Sequence, residues 1–296
     1  MKKIAFSILI SLFFSLPAFS KTNVVVSYQY IEDILNKIGK DKIIVFSLSK
    51  GTSDPHFIVP KPSLISKARN ADLLVINGGE LEIGWIPPIL NQANNPNIQS
   101  GSKGFLDLSN HIKLIEKMEN FSRAYGDVHP NGNPHFILNP DNVIIISKLL
   151  TEKLSELDPI NKDFYKKNNL DFTKKWNEKL SIWSNKMKNS KGKKVIQYHK
   201  LYNHFLEKYG LKSINTIELL PGINPTPKHI SDVIKQIKDE NVKIILQDVY
   251  HNQNSSKLVS DKSGIPYILL PHDVGSLSNI TDIFSLFDNI VDKISK

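Results

Sequence analysis

A chain of 296 residues with 40% hydrophobic side chains has enough apolar material for two ordinary domains, each with its own core, which excludes a disordered chain. With no cysteine it has neither disulfides nor zinc–thiolate sites. The formal charge of +9 comes partly from the N-terminus and otherwise from lysines such as Lys174, Lys175, Lys179, Lys186 and Lys188; these are spread through amphipathic segments without a nucleic-acid module signature, so no nucleic-acid partner is expected.

Lys2 and Lys3 precede an apolar run from Ile4 to Phe14, and Pro17, Ala18, Phe19 and Ser20 follow, which is the layout of a secretory signal cleaved after Ser20. The run is shorter than the ~20 residues that span a bilayer, and no later stretch approaches that length, so a soluble mature chain is expected. Without a cysteine to carry lipid, the expectation is free diffusion in a periplasm.

Asn23 to Tyr28 predicts a buried strand and Tyr30 to Ile38 a helix. Lys42 to Leu48 is the next strand. It runs into a loop carrying Asp54, Pro55 and His56, after which Pro60, Pro62 and Ser63 set up a helix over Leu64 to Arg69. Asp72 to Asn77 predicts a third strand, Glu82 to Leu90 a short helix containing Trp85, and Gly104 to Leu108 a fourth strand. Alternation at this spacing implies β-α units and a parallel sheet, in which functional residues collect after the carboxyl ends of strands. His56 stands at such an end.

The stretch Gly126 to Asn142, GDVHPNGNPHFILNPDN, holds His129 and His135 among turn formers that place both on a fixed loop. Each is either a hydrogen-bonded core imidazole or a metal ligand, and the loop alone leaves both readings open. Asn139, Pro140 and Asp141 then feed a helix with the apolar spacing of VIIISKLLTEKL.

From Asp158 to Lys188 apolar residues recur without a breaker, which predicts one helix of about eight turns. Alternation then resumes, with strands over Lys194–Tyr198, Lys212–Ile217, Lys243–Gln247 and Pro266–Leu270. Helices are expected over Leu201–Tyr209, Lys228–Lys238 and Gln253–Lys262, with a last one from about Asn279. The expected fold is therefore α/β: two lobes, each a mainly parallel sheet flanked by helices, bridged by one long helix. The expected division is a signal over 1–20, an N-terminal lobe over 21–157, the linking helix over 158–190 and a C-terminal lobe over 191–296. His199 closes the first strand of the second half, and His272 and Asp273 follow its last, so His56, His135, His199 and Asp273 all fall at or near strand ends.

Asp54-Pro55-His56 followed by Pro60-Lys61-Pro62-Ser63, then ADLLVINGGELEIGW, NPHFILNPDN and HKLYNHFLEKYGL, resembles the TroA-like metal-binding proteins that feed zinc or manganese ABC importers, the cluster A-I solute-binding proteins. The resemblance covers essentially the whole mature chain, with the motifs in order. It implies metal ligation by His56 from the DPH motif, by His135 from the NPH motif, by His199 from the segment ending in Tyr209-Gly210-Leu211, and by a late carboxylate matching Asp273. Asn139 stands where the family commonly has aspartate, and the acidic, histidine-rich insertion of many zinc-specific members is missing. His272 and Asp273 are adjacent, so one of them is expected to face the cleft, with Asp273 preferred. His129 is either an auxiliary ligand or a plain turn residue. His204 is read as a packing residue, His229 as surface or capping, and His111 and His251 carry no context. Glu218 is a candidate acceptor for a ligating histidine's second N–H.

Three neutral imidazoles and a carboxylate suit Zn²⁺, whereas Mn²⁺ prefers oxygen-rich sets of higher coordination number. The implied role is capture of a divalent ion, Zn²⁺ ahead of Mn²⁺, by a monomeric periplasmic protein that delivers it to a membrane permease and ATPase. Two alternatives stand beside it. One is a secreted zinc hydrolase with a three-histidine site, against which no H-E-x-x-H pair is found and no glutamate follows a candidate ligand closely. The other is a manganese-binding or adhesin-type relative.

Overall fold

The computed structural model describes residues 21–117, 129–219 and 222–296. The expected signal segment, residues 126–128 of the histidine loop, and Leu220 and Pro221 lie outside the described residues. Among the described residues no helix is long and apolar enough to cross a membrane.

Two four-stranded parallel sheets form, and both have the same internal order, with the first strand second from one edge. In the first sheet β1 (Thr22–Val26) lies between β2 (Ile43–Ser47) and β3 (Leu73–Ile76), and β4 (Phe105–Asp107) pairs with β3. In the second, β5 (Lys194–Gln197) lies between β6 (Lys212–Thr216) and β7 (Ile244–Gln247), with β8 (Tyr267–Leu269) outside β7. The central strands are continuous apolar runs because helices cover both faces: Leu73 to Ile76 are all buried. A strand flanked by neighbours reached in opposite directions creates a switch point, and the loops beyond its carboxyl end open a crevice.

The observed helices are α1 (Gln29–Gly39), α2 (Pro62–Arg69), α3 (Ile86–Ala93), α4 (Pro140–Leu157), α5 (Lys162–Met187), α6 (Asn203–Tyr209), α7 (Pro227–Asp239), α8 (Asn254–Ser263) and α9 (Ile283–Ile294). The helix expected from Glu82 starts four residues later, with Trp85 at its cap and prolines in its first turn. Glu82 is drawn out of the helix because its carboxylate accepts the backbone N–H groups of Asn77 (2.8 Å) and Gly78 (3.0 Å) at the end of β3. The last helix begins at Ile283 rather than Asn279, where Asp282 and Ser285 make a reciprocal capping box. The long helix α5 has 26 residues, with 3₁₀ turns at Pro159–Asn161 and Lys188–Ser190 on either side.

One face of α5 buries Tyr165, Phe172, Trp176, Trp183 and Met187. Trp176 packs edge-on to Trp183 (5.0 Å) and Phe287 (5.4 Å) and donates its indole N–H to the Pro140 carbonyl (2.9 Å). Through these rings one hydrophobic core runs from Val24 of β1 through α5 to Ile294 of α9. Polar contacts tie the same elements: Asp33 of α1 accepts the Ile283 N–H at the start of α9 (3.0 Å), and Lys37 of α1 pairs with Asp282, the cap of α9, at 3.6 Å.

Truncating Trp176 to alanine removes the centre of this core, so an unfolding free energy lower by about 3–5 kcal/mol is expected in denaturant titration. Burial raises the Glu82 carboxyl to about 7 against the pull of its N–H donors. A carboxyl raised on folding contributes stability that is complete below its unfolded value, near 4.5, and is lost as pH rises through about 7. The denaturation midpoint of wild type should therefore fall between about pH 5 and pH 8. Glu82→Gln should be less stable at low pH, where its amide N–H₂ opposes a backbone donor, yet show a flatter profile.

Candidate metal centre

The crevice receives a histidine from each of three loops. His56 follows β2 on a turn that Asp54 shapes: one carboxylate oxygen accepts the His56 backbone N–H (3.0 Å) and lies 2.8 Å from its Nδ1. The turn is anchored from behind by Trp85, whose indole N–H donates to the Pro55 carbonyl (2.9 Å). Contact with His56 holds the Asp54 carboxyl below its ordinary value although burial opposes this.

His135 is set by asparagines. Asn77 donates from its side chain to the Pro134 carbonyl (3.0 Å), and Asn133 accepts the His135 N–H (3.0 Å). Asn133 also donates to the Lys200 carbonyl (2.7 Å), which binds this loop to the one carrying His199. Gly78, at φ +81°, is required where β3 turns toward this loop, since a Cβ there would meet the Asp107 carboxylate at 1.8 Å. The Nε2 of His135 is buried and has no hydrogen-bond partner among the described residues.

His199 lies two residues beyond the end of β5. Its Nδ1 lies 2.6 Å from Glu218, whose other oxygen accepts the Gly222 N–H at 2.6 Å. An N–H given to a carboxylate on the δ side leaves the ε nitrogen free as a donor to metal, and the Asp54–His56 contact works in the same way.

The ligand atoms of His56, His135 and His199 all lie within 4.8 Å of one another. Their ring centroids are 5.6, 5.7 and 5.4 Å apart and the rings meet edge to face. Burial, then the neighbouring imidazoles, push His135 well below the usual histidine range, so this ring stays neutral and keeps a lone pair for a cation.

Of the other expected positions, Asp273 stands outside this group. Its carboxylate caps α1, accepting the N–H groups of Gln29 (3.1 Å), Tyr30 (2.8 Å) and Val274 (2.8 Å). Burial raises it to about 7. These three donors hold the carboxylate from the helix side, a contact the sequence could not reveal, because the capped helix lies more than 240 residues upstream. His272 is also outside the group, buried edge-on against Tyr250 at 4.7 Å with its Nδ1 unpartnered. His129 does reach the site, with its Nε2 3.2 Å from that of His56.

Two residues were not foreseen. His251 packs 5.7 Å from the His199 ring, bonds Asp248 through Nδ1 (2.9 Å) and approaches Glu218 to 3.8 Å. Burial alone would lower its pKa, but the Asp248 carboxylate outweighs burial and raises it. Asp248 and His251, three apart just after β7, were the available signal. Asp54 was read only as part of a motif and not as the partner of His56. His204, expected to pack, also donates its Nε2–H to the Asn133 carbonyl (2.9 Å) and so steadies the His135 loop. His229, expected at the surface or as a cap, is buried with its ring on the Thr216 carbonyl (2.9 Å), while Thr226 supplies the cap of α7.

Comparison with known proteins gives a consistent picture. The profile of the family described as ZnuA, zinc-uptake complex component A periplasmic, matches residues 24–296. A metal ABC transporter substrate-binding lipoprotein of Lactococcus lactis is 30% identical over 255 residues, 83% of this chain and 77% of that protein. The manganese ABC transporter substrate-binding lipoprotein PsaA of Streptococcus pneumoniae is 29% identical, covering 90% of this chain and 88% of its own. Among solved structures, a ZnuA crystal structure superposes with TM-score 0.79 at 23% identity over 93% of this chain and 98% of that one. A cadmium-bound periplasmic metal-binding protein from Candidatus Liberibacter asiaticus gives 0.76 at 22% identity over 93% of this chain and 100% of that one. These structural matches speak to the fold.

Glu218→Gln keeps a hydrogen-bond acceptor and removes the charge behind His199. Divalent-ion affinity should fall by about 10–100-fold in competitive titration while the far-UV circular dichroism is unchanged.

Proposed function

This chain belongs to the ZnuA family of periplasmic, metal-binding substrate-binding proteins of ABC transporters, and from that premise we propose that its cargo is Zn²⁺, held by His56, His135 and His199. The observation that carries the reading is the convergence of three buried imidazoles on one point with, among the described residues, no carboxylate in the group. A small, nitrogen-rich, low-coordinate set suits Zn²⁺, while Mn²⁺ calls for more oxygen donors. Manganese in the name of the streptococcal relative favours the other ion. The donor set outweighs it, because Glu218 and Asp54 stand behind their histidines and Asp273 is turned to α1.

The same arrangement accounts for capture and release. The carboxylates orient the rings and increase their basicity, so the ion meets a preformed trio. The proposed lobes, 21–157 and 191–296, share a core through the helical region 158–190, and Asp273 and Asp33 stitch the C-terminal half onto α1. Opening is then a small tilt with loop rearrangement rather than a wide clamshell, since a packed core does not shear freely. The released ion passes to the permease and ATPase of the importer. Cleavage after Ser20 would deliver the mature chain to the periplasm as a monomer. As a substrate-binding component the chain is not an enzyme, and its histidines do not form a hydrolytic centre.

Metal-stripped protein should bind one Zn²⁺ in competition with a chelator and prefer it to Mn²⁺. Alanine at His56, His135 or His199 should each weaken zinc binding by at least about 100-fold, in line with the loss of a whole ligand rather than of its support. A preference for Mn²⁺, or three variants with wild-type zinc affinity, would overturn the reading.

A further inference from the structure

His129 has no structural task that explains its placement. Its Nε2 is 3.2 Å from the Nε2 of His56, and its Nδ1 is buried without a hydrogen-bond partner among the described residues. The ring lies 5.3 Å from that of His56, almost parallel to it, and 6.4 Å from that of His135. Two imidazole nitrogens brought together in this way either share a proton or face a common cation. In a tetrahedral zinc site with ligands at ~2.0–2.1 Å, neighbouring donor atoms are about 3.3 Å apart, which is the separation found here.

The position is held, not accidental. The His129 carbonyl accepts the Gly132 N–H (3.0 Å), closing a turn, and Asn133 donates its N–H to the Ile115 carbonyl (2.8 Å). Gly132, at φ +121°, fits against residues 114 and 115, where a Cβ would approach Leu114 Cβ to 2.7 Å and the Ile115 carbonyl to 2.8 Å. The turn therefore sets His129 over the trio from the N-terminal side of His135.

A fourth donor is needed there, because a closed tetrahedral zinc site takes four ligands and the trio supplies three. Among the described residues, the acidic groups that stand behind the trio are already engaged. Asp54 and Glu218 face the δ nitrogens of His56 and His199, and Asp273 accepts three backbone N–H groups. On the footing of the zinc reading above, we propose that His129 is the fourth ligand, so that the ion is held by four imidazoles and by no carboxylate. His129 lies outside the set of atoms within 4.8 Å of one another, so its ring advances toward His135 and His199 as the ion enters.

Zinc-edge X-ray absorption on zinc-loaded wild type, His129→Ala and Asp273→Asn tests this, with chelator competition run on the same samples. The expected result is an all-nitrogen shell with four imidazoles in wild type, three in His129→Ala together with at least about tenfold weaker binding, and an unchanged shell in Asp273→Asn. Cobalt substitution gives a second readout: the visible bands of the tetrahedral ion should shift on His129→Ala and hold on Asp273→Asn. An unchanged shell and affinity in His129→Ala, or a shell altered by Asp273→Asn, would overturn the proposal and leave the zinc reading intact. Wild type that takes up no zinc would overturn both.

Discussion

Three imidazole edges can share one point only if each ring is fixed by something other than its neighbours, since neutral rings have no attraction strong enough to hold the arrangement. That constraint organises the crevice. Asp54 and Glu218 pin two rings from the δ side, while His135 sits in a loop bonded to Asn77 and Asn133. Each support comes from a different strand end, so the site exists only once both sheets are formed and placed. Burial then keeps His135 neutral, which turns a costly cluster of polar rings into a set of lone pairs waiting for a cation.

The placement of the sheets depends in turn on α5 and α9. The indole rings of Trp176 and Trp183, with Phe284 and Phe287, make an aromatic layer shared by both halves. Around it Asp273 reaches from the end of the second sheet to the start of α1, and Asp33 reaches from α1 to the start of α9. A buried carboxylate on a helix N-terminus joins the positive end of the helix dipole to the opposite lobe. The contacts that join the two halves are thus also the ones that set the strand ends around the site.

The outer ring of residues refines this picture. His251, carried by Asp248, approaches the same Glu218 that His199 contacts, so two imidazoles lie beside one carboxylate. His204 and Asn133 connect the loop of His135 to the segment after β5.

Much of this was written in the sequence. Apolar runs bounded by turn formers marked the strands and the unbroken apolar spacing after Asp158 marked the long helix, because local pattern decides local structure, while DPH, NPH and the segment from His199 to Leu211 pointed to the three histidines only through the family resemblance they carry. Glu218 was legible as a support since it closes the strand beside that of His199. The role of Asp273 was not legible. A carboxylate after a strand looks the same whether it faces a crevice or caps a helix, and the choice depends on where the first turn of α1 comes to lie. The approach of His129 to His56, 73 residues upstream, and the Asp248–His251 pair behind Glu218 likewise arise from packing between segments far apart in the chain. The sequence by itself determined which side chains were available at the strand ends; only the tertiary structure decided which of them meet, because distances across the crevice are set by how the two sheets seat against α5 and α9.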